Sequence, residues 1–268
     1  MKICFSTLCC LDYSLEQISA LARRCGMDGV ELRVDDGMLE NIDVTSPVFD
    51  ELPKYGIKLT DIASSIWISD SFISENAEKY VDLAAAIGCP AVRVFANSRL
   101  GDPRTRAEHI RGIAENLKKL CVYAGDKGVE IWLENHSEIS PLATCREITD
   151  TVQMPNLKVL WDVLHSIEYG EDVKTSAAIL GDCIAHVHLK DGVPPVDDGK
   201  IEYTHTDLGL GTFPFAEVIS VLRSIRYDGY LSLEWESPWC PEIRDLYDDP
   251  VELLNNYKKI LISSGVTI

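Results

Sequence analysis

Four short segments end in side chains able to bind a cation or move a proton. They are VEIWLENH at 129–136, KVLWDVLHS at 158–166, HVHLKDG at 186–192 and LSLEWES at 231–237. Each places a carboxylate or an imidazole where an apolar run stops. Side chains alternate faces along an extended strand. Glu134 therefore shares a face with Trp132, Asp162 with Leu160, His188 with His186, and Glu234 with Ser232. One Glu, one Asp, one His and a second Glu then converge on a common centre. Three uncompensated carboxylates are costly in a partly dry cavity, and a divalent cation removes that cost. An oxygen-rich set with one imidazole suits Mn²⁺, Mg²⁺, Co²⁺ or Zn²⁺. Such an ion stabilises the negative charge that develops when a C–H proton leaves the carbon beside a carbonyl. Two carboxylates working on opposite faces of the substrate give epimerisation, and one shuttling between adjacent carbons gives aldose–ketose isomerisation.

Other polar residues sit close by. Lys190 has the parity of His188 and is placed to bind a substrate oxygen or carboxylate, or else to pair with a rim acid such as Asp191. His136 is expected to hydrogen-bond substrate or orient a neighbour. Glu236, two residues beyond Glu234, reads as a rim residue, roughly 6–7 Å further along an extended chain. Glu31, Arg33 and Arg93 are expected on the opposite wall, with pairing to a barrel carboxylate as the other role for Arg93. Trp67, Trp235 and Trp239 offer apolar faces to a sugar or pack loops. Gly209 and Gly211 in DLGLGTFPF either present backbone N–H groups to an anion or turn the chain into the next helix.

Positioning these residues requires a regular scaffold. Eight β-rich runs recur along the chain: KICFSTL, GVELRV, IKLTDIA, AVRVFA, VEIWLEN, KVLWDVL, IAHVHLK and YLSLEW. Segments with helical periodicity lie between them, among them SLEQISALARRCG, ENAEKYVDLAAAIGC and RAEHIRGIAENLKKLCVYAGDKG. Gly26, Gly56, Gly88 and Gly128 follow such segments, as left-handed C-terminal caps do. Strands alternating with helices, apolar on both faces, predict an α/β fold, a (β/α)8 barrel occupying residues 1–268 as one domain. An open doubly wound sheet would carry a glycine-rich loop after the first strand. STLCCLDYS contains no glycine. In such a barrel the active site lies at the C-terminal ends of the strands, where the four segments end.

The bulk composition agrees. A chain of 268 residues with 46% hydrophobic content builds an ordinary core. No apolar run reaches the roughly 18–20 residues that span a bilayer, and MKICFSTLCC lacks the pattern of a signal peptide. A cytoplasmic location with no membrane partner is expected. The nine cysteines, odd in number and without a CxxC pair, read as buried reduced thiols. A net charge of −18 disfavours nucleic acid as a partner. The expected partner is a small-molecule sugar or polyol substrate, and a homo-oligomer is left open.

At these residues the sequence resembles the xylose isomerase-like barrel superfamily, the sugar phosphate isomerase/epimerase group. GMDGVELR, GCPAVRVFA, LENH, WDVLH, HVHLKD and YDGYLSLEWE carry the likeness, in order, over nearly the whole chain. The resemblance implies a metal held by Glu134, Asp162, His188 and Glu234, with Glu134 and Glu234 as paired acid and base. His165 matches a substrate-binding histidine of the ketose 3-epimerases. Ser140 stands where those epimerases carry a further Glu, Pro194 where they carry an Arg, and Gly209-Leu210-Gly211 where relatives often read Gly-Glu-Gly. The resemblance thus implies the scaffold and the metal rather than one activity. A dehydratase of the inosose or 3-dehydroshikimate kind starts from the same proton abstraction. A sugar-binding module or complex subunit is a non-catalytic alternative. Apurinic-site endonucleases share the barrel but resemble a three-zinc site with histidines on early strands, and the first four strands here have none.

Overall fold

A computed structural model describes residues 1–97, 105–196 and 200–267. Eight strands form a closed barrel: β1 (Lys2–Ser6), β2 (Gly29–Arg33), β3 (Lys58–Ile68), β4 (Ala91–Ala96), β5 (Glu130–Glu134), β6 (Leu157–Asp162), β7 (Ile184–Leu189) and β8 (Tyr230–Leu233). Their order around the barrel is β1-β8-β7-β6-β5-β4-β3-β2, and every neighbouring pair is parallel. Closure joins β8 to β1 with Cys4 opposite Ser232, so the barrel itself has no open edge.

The two faces of each strand have separate jobs. Phe5, Ile131, Trp161, Val187 and Leu231 point to the helices and join the main apolar core. The opposite face fills the lumen. There Ala91, Trp132 and Leu160 form a small layer, and the His186 ring stacks on Trp132 at 5.3 Å between centroids. The charged layer lies above that plug.

The helices follow from local signals. Ser14 accepts the Gln17 N–H while Gln17 returns a bond to the Ser14 N–H, and this capping box starts Leu15–Cys25. That helix buries Ile18, Leu21, Ala22 and Cys25 and ends at Gly26, whose φ of 61° is left-handed. Gly56, Gly88 and Gly128 also have positive φ. The nine cysteines are all free thiols.

Three departures from the sequence-based expectations bear on the site. β3 continues past Ala63 to Ile68 through a register irregularity against β4, which carries Ser65 and Trp67 to the barrel mouth. β6 stops at Asp162, and Val163–Glu168 is helical because the Asp162 carboxylate caps it, accepting the His165 N–H at 3.1 Å. After β7 the chain forms a small antiparallel hairpin, Gly192–Val193 with Thr204–His205.

Candidate active site and metal centre

The barrel brings the four strand-end residues together. Glu134 ends β5, Asp162 ends β6, His188 lies in β7 opposite Asp162, and Glu234 immediately follows β8. The Glu234 N–H still bonds to Leu189 O at 3.2 Å, so the ladder extends to it. Asn135 pins two of these ends in register. Its amide donates to Asp162 O at 2.9 Å and accepts from Asp162 N at 2.7 Å. All four residues are buried, and one donor atom from each lies within 4.8 Å of every other. Glu134 Oε2, Asp162 Oδ2 and His188 Nδ1 are buried without a well-aligned hydrogen bond, and their close neighbours are charged groups. These two oxygens and the imidazole nitrogen, with the Glu234 carboxylate beside them, fit a hard or borderline divalent cation.

Lys190 supplies the positive charge in this structure. Its Nζ lies 2.8 Å from both Asp162 Oδ2 and Glu234 Oε2 and also pairs with Glu236. The side chain is fully buried and turns into the site. The expected alternative partner, Asp191, is occupied elsewhere: its carboxylate accepts N–H bonds from Gly192, Gly209, Gly211 and Phe213. The Gly209 and Gly211 amides therefore serve an internal anion and turn the chain; they do not face the cavity. A Cβ on Gly211 would stand 2.1 Å from Asp191 Oδ1, so this cradle requires glycine.

The site divides its two glutamates electrostatically. Burial raises the Glu134 carboxyl above the usual carboxylate range, although Arg93 Nη1 at 3.0 Å opposes this. Burial also acts on Glu234, but His188 and Lys190 outweigh it and hold that carboxyl well below the usual range. Asp162 is likewise held down against burial by His165 and Lys190. His188 is raised against burial by Glu234 and Glu31. For His165, burial is overcome by Asp162 and by the Glu168 hydrogen bond at 2.9 Å, and the imidazole is pushed up to about 9. His136 goes the other way, to about 3, through burial and the neighbouring His165 and Lys190 cations.

Glu31 is placed differently from the opposite-wall position expected of it. Its carboxylate has no exposure and sits beneath His188. Glu31 Oε2 lies 2.8 Å from His188 Nε2, 3.1 Å from His186 Nε2 and 3.0 Å from Ser232 Oγ. An ionised carboxylate only accepts, so both imidazoles donate Nε2–H. His188 is left with Nδ1 toward Glu234 and Asp162, the arrangement in which a carboxylate orients a metal-binding imidazole. Glu31 thus contacts His188, His186 and Ser232 and is not among the residues that line the cavity with Glu134 and Glu234. Beside it lies Asp61, also fully buried, whose carboxyl burial and Glu31 push up to about 7.

A cavity of about 340 Å³ opens above the four residues, with Glu134, Glu234, Glu236, Arg33, Arg93 and His136 in its wall. Trp67 stacks on Phe95 at 4.8 Å, and the His136 ring lies 4.8 Å from Phe95, giving one wall an aromatic face. Trp239 stands at the rim and is exposed. Trp235 is buried against Tyr247 and belongs to the core. Arg93 pairs with Glu134, lies 4.0 Å over Phe95 and lines the cavity. His165 and Glu236 line an adjoining cavity with His205 and Tyr203. Asn135, Ser65, Phe95 and Asp61 were not assigned site roles from sequence. Only Asn135, in LENH, carried a local signal.

The chain matches known proteins at the level of this scaffold. It is 28% identical over 137 residues to fructoselysine 3-epimerase of Escherichia coli O157:H7, covering 49% of this chain and 48% of that one. It is 28% identical over 204 residues to inosose dehydratase of Klebsiella pneumoniae strain 342, covering 63% and 68%. The first of these matches spans about half the relative's length. The solved structure of a probable 3-DHS dehydratase from Bacillus anthracis, involved in petrobactin synthesis, superposes with a TM-score of 0.79 at 21% identity over 98% of this chain and 99% of that one. The model of the xylose isomerase-like TIM barrel matches residues 19–257, and the chain belongs to that family.

Proposed function

We propose that the protein is a divalent-metal-dependent isomerase or epimerase acting on a ketose, aldose or related polyol by carboxylate-mediated proton transfer. The observation that carries this reading is the pair Glu134 and Glu234. They share one cavity, have donor atoms within 4.8 Å of each other, and are driven in opposite directions from the usual carboxylate range. Two carboxyls set apart in this way are suited to act as acid and base.

Glu134, Asp162, His188 and Glu234 would hold the ion. Bound there, it would supply Lewis-acid stabilisation of the oxygen that gains charge as the proton leaves. Arg93 holds Glu134 in place, and Lys190 holds Glu234. Neutral His136 can exchange a hydrogen bond with a substrate hydroxyl without adding charge. The aromatic wall of Trp67 and Phe95 gives a sugar ring an apolar surface and excludes water. His165, charged and tied to Glu168, presents Nε2 3.5 Å from Lys190 and is placed to bind a substrate oxygen.

The test is solvent exchange. The Mn²⁺- or Mg²⁺-loaded protein in D2O should introduce deuterium beside the carbonyl of a substrate ketose. Glu134→Gln and Glu234→Gln should each slow this by about 10²–10⁴-fold. Full activity in both variants rejects the acid–base assignment. A dehydratase, supported by the inosose dehydratase match, would instead release a product lighter by one water.

A further inference from the structure

Arg33 is not used by the chemistry above. Its backbone N–H bonds to Thr7 Oγ1 at 2.8 Å, which fixes the end of β2. Its guanidinium gives Nη1 hydrogens to Ala63 O at 2.8 Å and Val34 O at 3.3 Å, and an Nη2 hydrogen to Ser65 Oγ at 2.9 Å. A guanidinium has five N–H donors. Among the described residues, Nε–H and one Nη2–H therefore remain without a partner.

None of its acceptors is an anion. Asp35 and Glu234 act on Arg33 through space, but no carboxylate of the described residues lies within ion-pairing distance. Burial and the nearby Arg93 guanidinium work against the charge and lower its pKa. Arg93, by contrast, has Glu134 as a countercharge. The cavity wall therefore holds a partly buried cation with spare donors and no countercharge, in a chain whose net charge is −18. A neutral polyol that displaced water from this wall would leave the guanidinium uncompensated, which is unfavourable.

Two donors on a planar fork suit a carboxylate, which they can hold side-on with two parallel bonds.

We propose that Arg33 is a carboxylate-binding subsite and that the substrate is a polyhydroxy acid, not a neutral sugar. This rests on the reading of the cavity as the site of proton transfer. The substrate would then carry its carboxylate at the β2–β3 side and its reacting carbon near Glu134 and Glu234.

Calorimetric titrations of the full chain with gluconate, its uncharged counterpart sorbitol and inorganic phosphate test this, with and without Mn²⁺. Gluconate should bind at least about tenfold tighter than sorbitol in both states. Arg33→Gln should bring gluconate to the sorbitol level, while Arg33→Lys retains part of the preference and Mn²⁺ still binds both variants. Equal binding of gluconate and sorbitol by the wild type overturns the proposal and makes Arg33 a structural tie between β2 and β3. Binding of phosphate in preference to gluconate overturns the carboxylate assignment. The wild-type comparison stands even where a variant does not fold. Failure of Mn²⁺ to bind, with the gluconate preference intact, removes the proton-transfer reading and leaves the anion subsite.

Discussion

Replacing Glu31 by glutamine is expected to weaken the metal site without touching a ligand. The Glu31 carboxylate takes three donors in a fully buried setting: His188 at 2.8 Å, Ser232 at 3.0 Å and His186 at 3.1 Å. Those donors hold its pKa below the usual range even though burial opposes ionisation. Glutamine preserves the shape but removes the charge, and its NH2 group faces donors where an acceptor was. Charge-assisted bonds are roughly twice as strong as neutral ones. Loss of a group that orients a metal-binding imidazole costs about 10–100-fold in metal affinity, or about 1.4–2.7 kcal/mol. Unfolding stability should drop by about 1–3 kcal/mol as well, since buried donors lose a strong acceptor. Mn²⁺ titration followed by calorimetry, with circular dichroism to confirm folding, reads both effects. A folded Glu31→Gln protein whose Mn²⁺ affinity stays within about twofold of wild type would refute the role given to Glu31.

Lys190→Met should lower the melting temperature of the metal-free protein, because Asp162, Glu234 and Glu236 lose their shared cation, and should tighten Mn²⁺ binding because the competing ammonium is gone; weaker Mn²⁺ binding would contradict this. The two glutamates of LSLEWES should separate cleanly: Glu234→Gln slows turnover by about 10²–10⁴-fold and weakens Mn²⁺ binding, whereas Glu236→Gln keeps one Mn²⁺ per chain, as metal analysis of the purified variants would report. Asp61 gives a pH test. Its carboxyl is raised from 3.8 to about 7, so the folded state holds a proton that the unfolded state releases, and stability from this group is lost as pH rises between those values. Asp61→Asn should therefore gain stability relative to wild type on going from pH 5 to pH 8, by on the order of a few kcal/mol, measured as the difference in urea unfolding free energy. An equal effect at both pH values would mean that Asp61 titrates normally.

Much of this site is legible in the sequence because two simple periodicities produce it. Apolar runs alternating with helical segments define the barrel, and strand parity turns Glu134, Asp162 and His188 to one face. Parity also put Lys190 on that face, but not its partners, since whether an ammonium meets Asp162 or Asp191 depends on the turn after β7. The place of Glu31 is not legible in the sequence for a different reason. Its contacts with His186 and His188 bridge 155 and 157 residues, and closure of the barrel alone brings them together. The end of β3 is not legible because SSIWI breaks the apolar pattern that marks the strand, and a register irregularity accommodates it. Asp162 shows that a residue can hold two roles at once, with Oδ1 capping a helix and Oδ2 facing the centre.

Anomalous diffraction from crystals grown with Mn²⁺ tests the central claim most directly. Expected is one strong peak per chain, enclosed by Glu134, Asp162, His188 and Glu234, with Lys190 moved away from Asp162. A peak at a different donor group, such as His205, Glu236 and Cys240, with none at the four strand ends, would contradict it, as would no peak at saturating Mn²⁺.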